Sequence, residues 1–208
     1  MKNIYLLLIS IFICNLVFCQ LSNFSAGAGL GFGVYGIKTN DKSAKKDTNI
    51  TDITKLITLI RADFSITKRY VIGVKFEKNS YLTKIDSSKN ASSISIGING
   101  RFNVVNKEKN LLYFELIPAY SYFTYSKIIN KKTDKIYSNG INFQVGFGWD
   151  HYFLNHFGMF INTYIANYNY YKVVNSNSNT ILKVNNPPVN FTINFKGVNL
   201  FAGLLFRL

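Results

Sequence analysis

Between Phe24 and Leu208 the sequence alternates apolar and polar residues at period two, and long polar connections alternate with short ones. Period two is the signature of strands with two unlike faces, because successive side chains point to opposite sides. Eight strands are predicted, at Phe24–Lys38, Lys55–Ser65, Tyr70–Thr83, Ser93–Val105, Leu111–Lys127, Ser138–Phe153, Gly158–Lys172 and Phe191–Leu208. Long lysine-bearing segments (39–54, 84–92, 128–137 and 173–190) separate odd strands from the even strands that follow them. Short turns (66–69, 106–110 and 154–157) make the other joins. A soluble sandwich has no reason to sort its connections this way. A membrane barrel does, with short turns on one side and longer loops on the other.

The faces agree. In the fourth strand Ile94, Ile96, Ile98, Phe102 and Val104 oppose Ser93, Ser95, Asn99, Arg101 and Asn103. In the sixth, Ile141, Phe143, Val145, Phe147 and Trp149 oppose Asn142, Gln144, Gly146, Gly148 and Asp150. Inside a bilayer each backbone group needs a partner within the protein, so such a sheet must close, with its apolar face outward. The expected architecture is all-β: an eight-stranded antiparallel up-and-down transmembrane barrel.

Parity places Arg61, Lys75, Arg101 and Arg207 on the polar face, with Asp63, Glu77, Glu115 and Asp150. Three of the chain's four arginines are in this set, although lysine dominates elsewhere. Arginine stays charged and its planar fork matches carboxylates, so a neutral charge network inside a narrow lumen is predicted. Gly27, Gly29, Gly31 and Gly33 share the inward face and would leave room for long side chains from across the barrel.

Some positions fit poorly. Ile57 and Leu59 share a face with Arg61, and Asn162, Asn167 and Asn169 occupy both phases of the seventh strand. Phe191, Ile193 and Phe195 are out of step with Leu200, which predicts a bulge at Gly197. Pro118 lacks a ladder donor and belongs at an edge or bulge. Two aromatic girdles are expected at the membrane interfaces. Tyr70, Phe102, Tyr113, Tyr152, Phe153 and Phe157 would form one. Tyr35, Tyr81, Tyr122, Tyr125, Tyr168, Tyr170 and Tyr171 would form the other.

The first residues read differently. Positive Met1-Lys2-Asn3 precedes an apolar run from Ile4 to Phe18, which is the pattern of a secretory signal peptide. The expected division is a cleaved leader over 1–19 and a barrel over 20–208. Lipidation at Cys19 is the alternative, against which stands bulky Phe18. Both cysteines, Cys14 and Cys19, fall in the leader, so disulfides, zinc-thiolate sites and cysteine nucleophiles are excluded from the mature chain. The whole sequence carries 24 Lys and Arg against 10 Asp and Glu, a net charge of +14. Such a balance suits nucleic acid, an anionic membrane surface or acidic sugars. Export argues against nucleic acid, and the lysines scatter through loops. Lys42, Lys45, Lys46, Lys131, Lys132 and Lys135 are candidate contacts for polyanions such as lipopolysaccharide phosphates, or else simply solvated loop residues.

The leader, the sorted connections, the first strand GAGLGFGVYG and the last, GVNLFAGLLFRL, resemble the eight-stranded outer-membrane barrels of Gram-negative bacteria, the OmpA/OmpX-like group. The resemblance implies location in the outer membrane, and a terminal strand recognised by the barrel-assembly machinery. Here Leu208 ends that strand, with Phe206 two residues before it. Fold does not fix function.

Three functions are compatible with these residues. The first is a non-enzymatic surface protein displaying basic loops for adhesion, envelope integrity or polyanion contact, with a lumen too full for general porin activity. The second is a lipid-modifying enzyme of the outer membrane, for which His151 and His156 are the only imidazoles. Asp150 and His151 are adjacent on a strand and so point to opposite faces, and no serine stands in a matching motif. The third is a soluble exported barrel like a lipocalin, which requires apolar residues inside and polar ones outside. No cofactor or metal site is expected.

Overall fold

The computed structural model describes residues 24–40, 53–82, 89–129, 132–184 and 187–208. The leader and the lysines at positions 42, 45, 46 and 131 lie outside the described residues, as does the side chain of Lys132. Among the described residues there are eleven strands. They are β1 (Phe24–Thr39), β2 (Ile53–Ser65), β3 (Tyr70–Leu82), β4 (Lys89–Lys107), β5 (Asn110–Ile129), β6 (Lys132–Tyr152), β7 (Phe157–Asn175), short β8 (Thr180–Ile181), β9 (Lys183–Val184) and β10 (Val189–Asn190), and β11 (Ile193–Arg207). Strands β1 to β7 pair antiparallel with their neighbours in sequence, and β11 pairs with both β1 and β7, so the sheet is closed. Eight strands make the wall; the other three belong to the last long connection.

Outward rows are apolar. Leu30 is 70% exposed, Ile98 59% and Leu204 68%, and Val34, Ile60, Phe147 and Ile165 extend the same belt. On β11 the exposed apolar row runs from Val198 to Phe206, close to the about 9–11 residues that a tilted strand needs to cross hydrocarbon. Polar side chains then take over on the outside towards the long loops: Lys78 on β3, Asn139 on β6 and Lys196 on β11. Both ends of the barrel strands' chain path, Phe24 and Arg207, lie at the short-turn end. There the Leu208 N–H donates to the Phe24 carbonyl at 3.1 Å. A lipocalin-like distribution, polar outside and apolar inside, is therefore not what this chain has.

Several local expectations are corrected. No bulge interrupts β11 at Gly197: the register against β1 runs unbroken from Thr39–Ile193 to Ser25–Arg207. Ile193 and Phe195 keep the inward phase because the lumen itself is apolar at that level. Bulges occur elsewhere, one between Asn103 and Val105 on β4 and one where Tyr137 and Asn139 on β6 face β7. At the second, Lys172 takes a left-handed φ of 55° and the inward phase of β7 passes from Tyr170 to Val173. Pro118 sits mid-strand, facing Phe143 of β6; on its other side the β4–β5 pairing skips from Gly97–Ala119 to Gly100–Leu116. The wall tolerates the missing donor because the residues around it stay in register. The segment expected as the third long loop is largely strand: β5 and β6 pair continuously out to Ile129–Lys132.

The aromatic girdles are half right. Tyr70, Phe153, Phe157, Tyr122 and Tyr171 are exposed on the outside. Tyr35, Tyr81, Tyr113, Tyr152, Tyr168 and Tyr170 are instead buried inside the barrel. Glycines make that possible. A Cβ on Gly29 would stand 2.7 Å from the Phe160 ring, and one on Gly148 would collide with the Tyr113 ring.

If the outer belt faces hydrocarbon, Ile98→Arg should destabilise the folded barrel by about 2–4 kcal/mol. On a water-facing sheet the same change should cost within about 0.5 kcal/mol. Urea titration in lipid vesicles, read by heat-modifiable gel migration, separates the two.

Candidate functional site

Among the described residues the buried polar side chains gather in the lumen, and they are arranged in levels. Nearest the short turns, Arg61 and Arg101 reach in from β2 and β4. Arg61 donates from one terminal nitrogen to both oxygens of Asp150, at 2.8 and 2.7 Å, and from the other to the Tyr113 hydroxyl at 2.7 Å. Its Nε lies 3.4 Å from Asp63 Oδ2. Arg101 bridges Asp63 at 2.9 Å, Asp150 at 3.2 Å and Glu115 at 3.5 Å. Asn99 ties Asp63 to Glu115 by donating to both, at 2.8 and 2.9 Å. The Tyr164 hydroxyl accepts from Asn162 at 2.6 Å and makes a short contact with Glu115. Aromatic faces complete the shell, with Arg61 4.4 Å from the Phe160 centroid and Arg101 3.9 Å from that of Tyr113. Cations over ring faces gain from the ring quadrupole, most strongly where water is excluded.

The next level holds one carboxylate and two amines. Glu77 is 3.2 Å from the Lys75 ammonium, receives Gln144 Nε2 at 3.0 Å on each oxygen, and accepts from the Tyr168 hydroxyl at 3.1 Å. Lys55 donates to the same Tyr168 hydroxyl at 2.8 Å and stands 4.3 and 4.1 Å from the centroids of Tyr35 and Tyr168. Beside it, Ser95, Ser121 and Asn142 form a small hydroxyl–amide knot with contacts of 2.6 to 3.0 Å.

Towards the long loops the interior turns aromatic. Tyr81, Phe123, Tyr170 and Phe195, from β3, β5, β7 and β11, pack with ring centroids 5.1 to 5.8 Å apart. Such spacings suit edge and tilted ring contacts. Four strands spread around the circumference thus meet at the axis. A second apolar group, which includes Ile57, Leu59, Phe160, Tyr164 and Phe201, packs beside the arginines. That explains why Ile57 and Leu59 share the face of Arg61: the lumen has an apolar wall as well as a charged one.

Of the eight residues assigned to the inward network, Arg61, Asp63, Arg101, Glu115 and Asp150 form one cluster, and Lys75 with Glu77 another. Arg207 is the exception. It has the inward parity but lies at the rim, half-exposed, where its Nε donates to the Asn155 carbonyl at 2.7 Å and a terminal nitrogen to the Glu108 carbonyl at 3.0 Å. Its guanidinium rests 4.0 Å from the Tyr152 centroid. At the strand end the acceptors it reaches are turn carbonyls. Lys55, fully buried, was missed as an inward charge. It stands at the edge of the predicted strand, where parity is easily read as loop.

The two histidines stay apart from this machinery. His151 Nδ1 is 2.9 Å from Asn110 Oδ1, and its ring tilts against Trp149 at 5.4 Å; His156 Nδ1 is 2.9 Å from the Arg207 carbonyl. Asp150 faces the lumen and His151 does not. Lys135, on β6, is exposed beyond the wall.

No protein-family model and no curated protein matches this sequence. Solved structures do share its fold. Neisserial surface protein A superposes with a TM-score of 0.50 at 14% identity, covering 89% of this chain and 97% of its own. The outer membrane protein OprG from Pseudomonas aeruginosa gives 0.50 at 10% identity, with 91% and 98% covered. At such identities the likeness is one of fold, the closed eight-stranded outer-membrane barrel.

The two levels should respond differently to loss of a cation. Arg101→Met strands three buried carboxylates around Arg61 and should cost about 3–5 kcal/mol of unfolding free energy at neutral pH. Lys55→Met removes a buried ammonium with no carboxylate in its own contact shell and should stay within about 1 kcal/mol of wild type, since an apolar replacement of similar volume is tolerated there. Equal losses for the two would contradict the division into levels.

Proposed function

We propose that this chain is a non-enzymatic outer-membrane anchor that holds basic loops at the cell surface, for adhesion, envelope integrity or contact with polyanions, and that does not conduct as a general porin. The observation that carries the reading is the filled interior. An eight-stranded barrel has room for little beyond its own side chains, and here paired charges, a hydroxyl–amide knot and four meeting rings occupy the axis in succession. A water-filled pore needs a continuous polar lining, and the ring cluster interrupts one.

The orientation follows from the class of fold: short turns and both strand termini in the periplasm, long connections outside. Lys2 of the leader carries one unit of the net charge of +14; the four long connections carry +4 and the short turns +3, while the buried lumen charges balance in number, Lys55, Arg61, Lys75 and Arg101 against Asp63, Glu77, Glu115 and Asp150. Export through a cleaved leader and assembly through the terminal strand belong to the same reading. An enzymatic role has less support, because neither histidine is joined to a carboxylate or to a nucleophile.

Two measurements test it. Purified protein in planar bilayers should show no steady conductance steps, whereas ohmic channels at low voltage would sink the closed-lumen reading. Cells displaying wild-type protein should adhere to a polyanion-coated surface severalfold better than cells displaying the Lys42→Gln, Lys45→Gln, Lys46→Gln variant. The difference should shrink as salt rises through about 0.15 M and the Debye length falls below about 8 Å.

A further inference from the structure

Among the described residues, the outer wall gathers several polar side chains into a patch that the apolar belt does not explain. Near the long loops, β1, β11 and β7 turn Lys38, Lys196, Asn194, Asn167 and Asn169 outward. The registers bring them together. Asn194 faces Lys38 on one side and Asn169 on the other, while Lys196 faces Gly36 and Asn167. Directly opposed side chains start about 4.5–5.5 Å apart and diagonal ones about 7–8 Å, so all five act on one small area. Asn194 Nδ2 donates to Asn167 Oδ1 at 2.8 Å and makes a short contact with Asn169 Oδ1. Both neighbouring amides are thereby held with their carbonyls turned inward to Asn194. Their own Nδ2 groups remain as donors to whatever lies outside.

Three further features describe the occupant. No Asp or Glu occurs anywhere on β1, β7 or β11, so nothing on these strands neutralises the two ammonium groups. Gly36 leaves a notch beside Lys196: a Cβ there would meet nothing nearer than the Lys196 carbonyl oxygen, at 4.0 Å. Immediately below, Val34, Val198 and Ile165 are exposed and continue the hydrocarbon-facing belt. A ligand filling this place must put an anion against the lysines and amides while its body lies along apolar wall.

We propose that this patch binds the phosphorylated headgroup of an outer-leaflet lipid, with Lys38 and Lys196 pairing the phosphate, Asn167 and Asn169 donating to its oxygens, and acyl chains running down the β1–β11–β7 face. The proposal rests on the outer-membrane reading above and deepens it. The site is on the barrel wall and is independent of the loop lysines.

Native mass spectrometry of the detergent-folded protein tests it, with diphosphoryl lipid A, its dephosphorylated form and inorganic pyrophosphate as probes. Wild type should retain diphosphoryl lipid A well above the dephosphorylated form and should not retain pyrophosphate. Each lysine supplies a charge-assisted contact, so Lys38→Ala with Lys196→Ala should lower retention on the order of tenfold or more. Gly36→Leu should lower it too by filling the notch, with heat-modifiable migration intact because the added side chain meets open space. Lys135→Ala should change nothing. Equal retention of the dephosphorylated lipid, or unchanged retention in the double variant, would overturn the proposal. So would pyrophosphate binding without acyl chains, or a protein dimer abolished by the same substitutions, which would assign the patch to a second copy of this chain. A protein that fails the adhesion assay yet keeps this lipid would sink the surface-display reading alone.

Discussion

Hydrocarbon offers no hydrogen-bond partner, and every feature of this barrel follows from that. A strand crossing it must pair on both edges, so the sheet has to come round on itself, and β11 does so by pairing with β7 and β1 at once. With the apolar rows committed outward, the polar rows have only one another for company. The lumen must then solve within a narrow cylinder what a soluble protein would leave to water.

It solves it by level rather than by a uniform network. Guanidinium groups need several carboxylates and get them: Asp63, Glu115 and Asp150 converge on Arg61 and Arg101, with Asn99 and Tyr113 taking up remaining valences. The lysines, with a compact charge on a long stem, are held differently: Lys55 over the faces of Tyr35 and Tyr168, and Lys75 over Tyr164 and beside Glu77. Buried ion pairs are poor sources of net stability, because desolvation offsets the attraction, but breaking one is costly. Such an interior specifies register strongly. A slip of one residue would carry Arg61 and Asp150 into lipid.

The architecture was legible because it depends on period two and on connection length, both of which survive in a single sequence. The inward set Arg61, Asp63, Lys75, Glu77, Arg101, Glu115 and Asp150 followed from parity alone. Parity failed where the lumen is not polar. Equating apolar with outward puts Phe195 out of phase and demands a bulge at Gly197; its partners Tyr81, Phe123 and Tyr170 come from strands far away in sequence. The tyrosines were sorted by height along the barrel, which is correct, and assigned to the lipid interface, which for Tyr35, Tyr81, Tyr168 and Tyr170 is not. A tyrosine has an apolar body and a polar tip, so composition cannot say which of the two environments it serves.

The sequence by itself determined the strand count, the sorting of turns and loops, and the side of the wall on which most charges lie, since each is a local pattern fixed by backbone geometry. Only the tertiary structure decided which charges meet. Arg207 has the same parity as Arg61 yet ends at the rim on turn carbonyls, while Lys55 lies inside against two tyrosine rings. Height in a sheared barrel is set by the stagger between strands, and stagger arises only when the first and last strands close on each other.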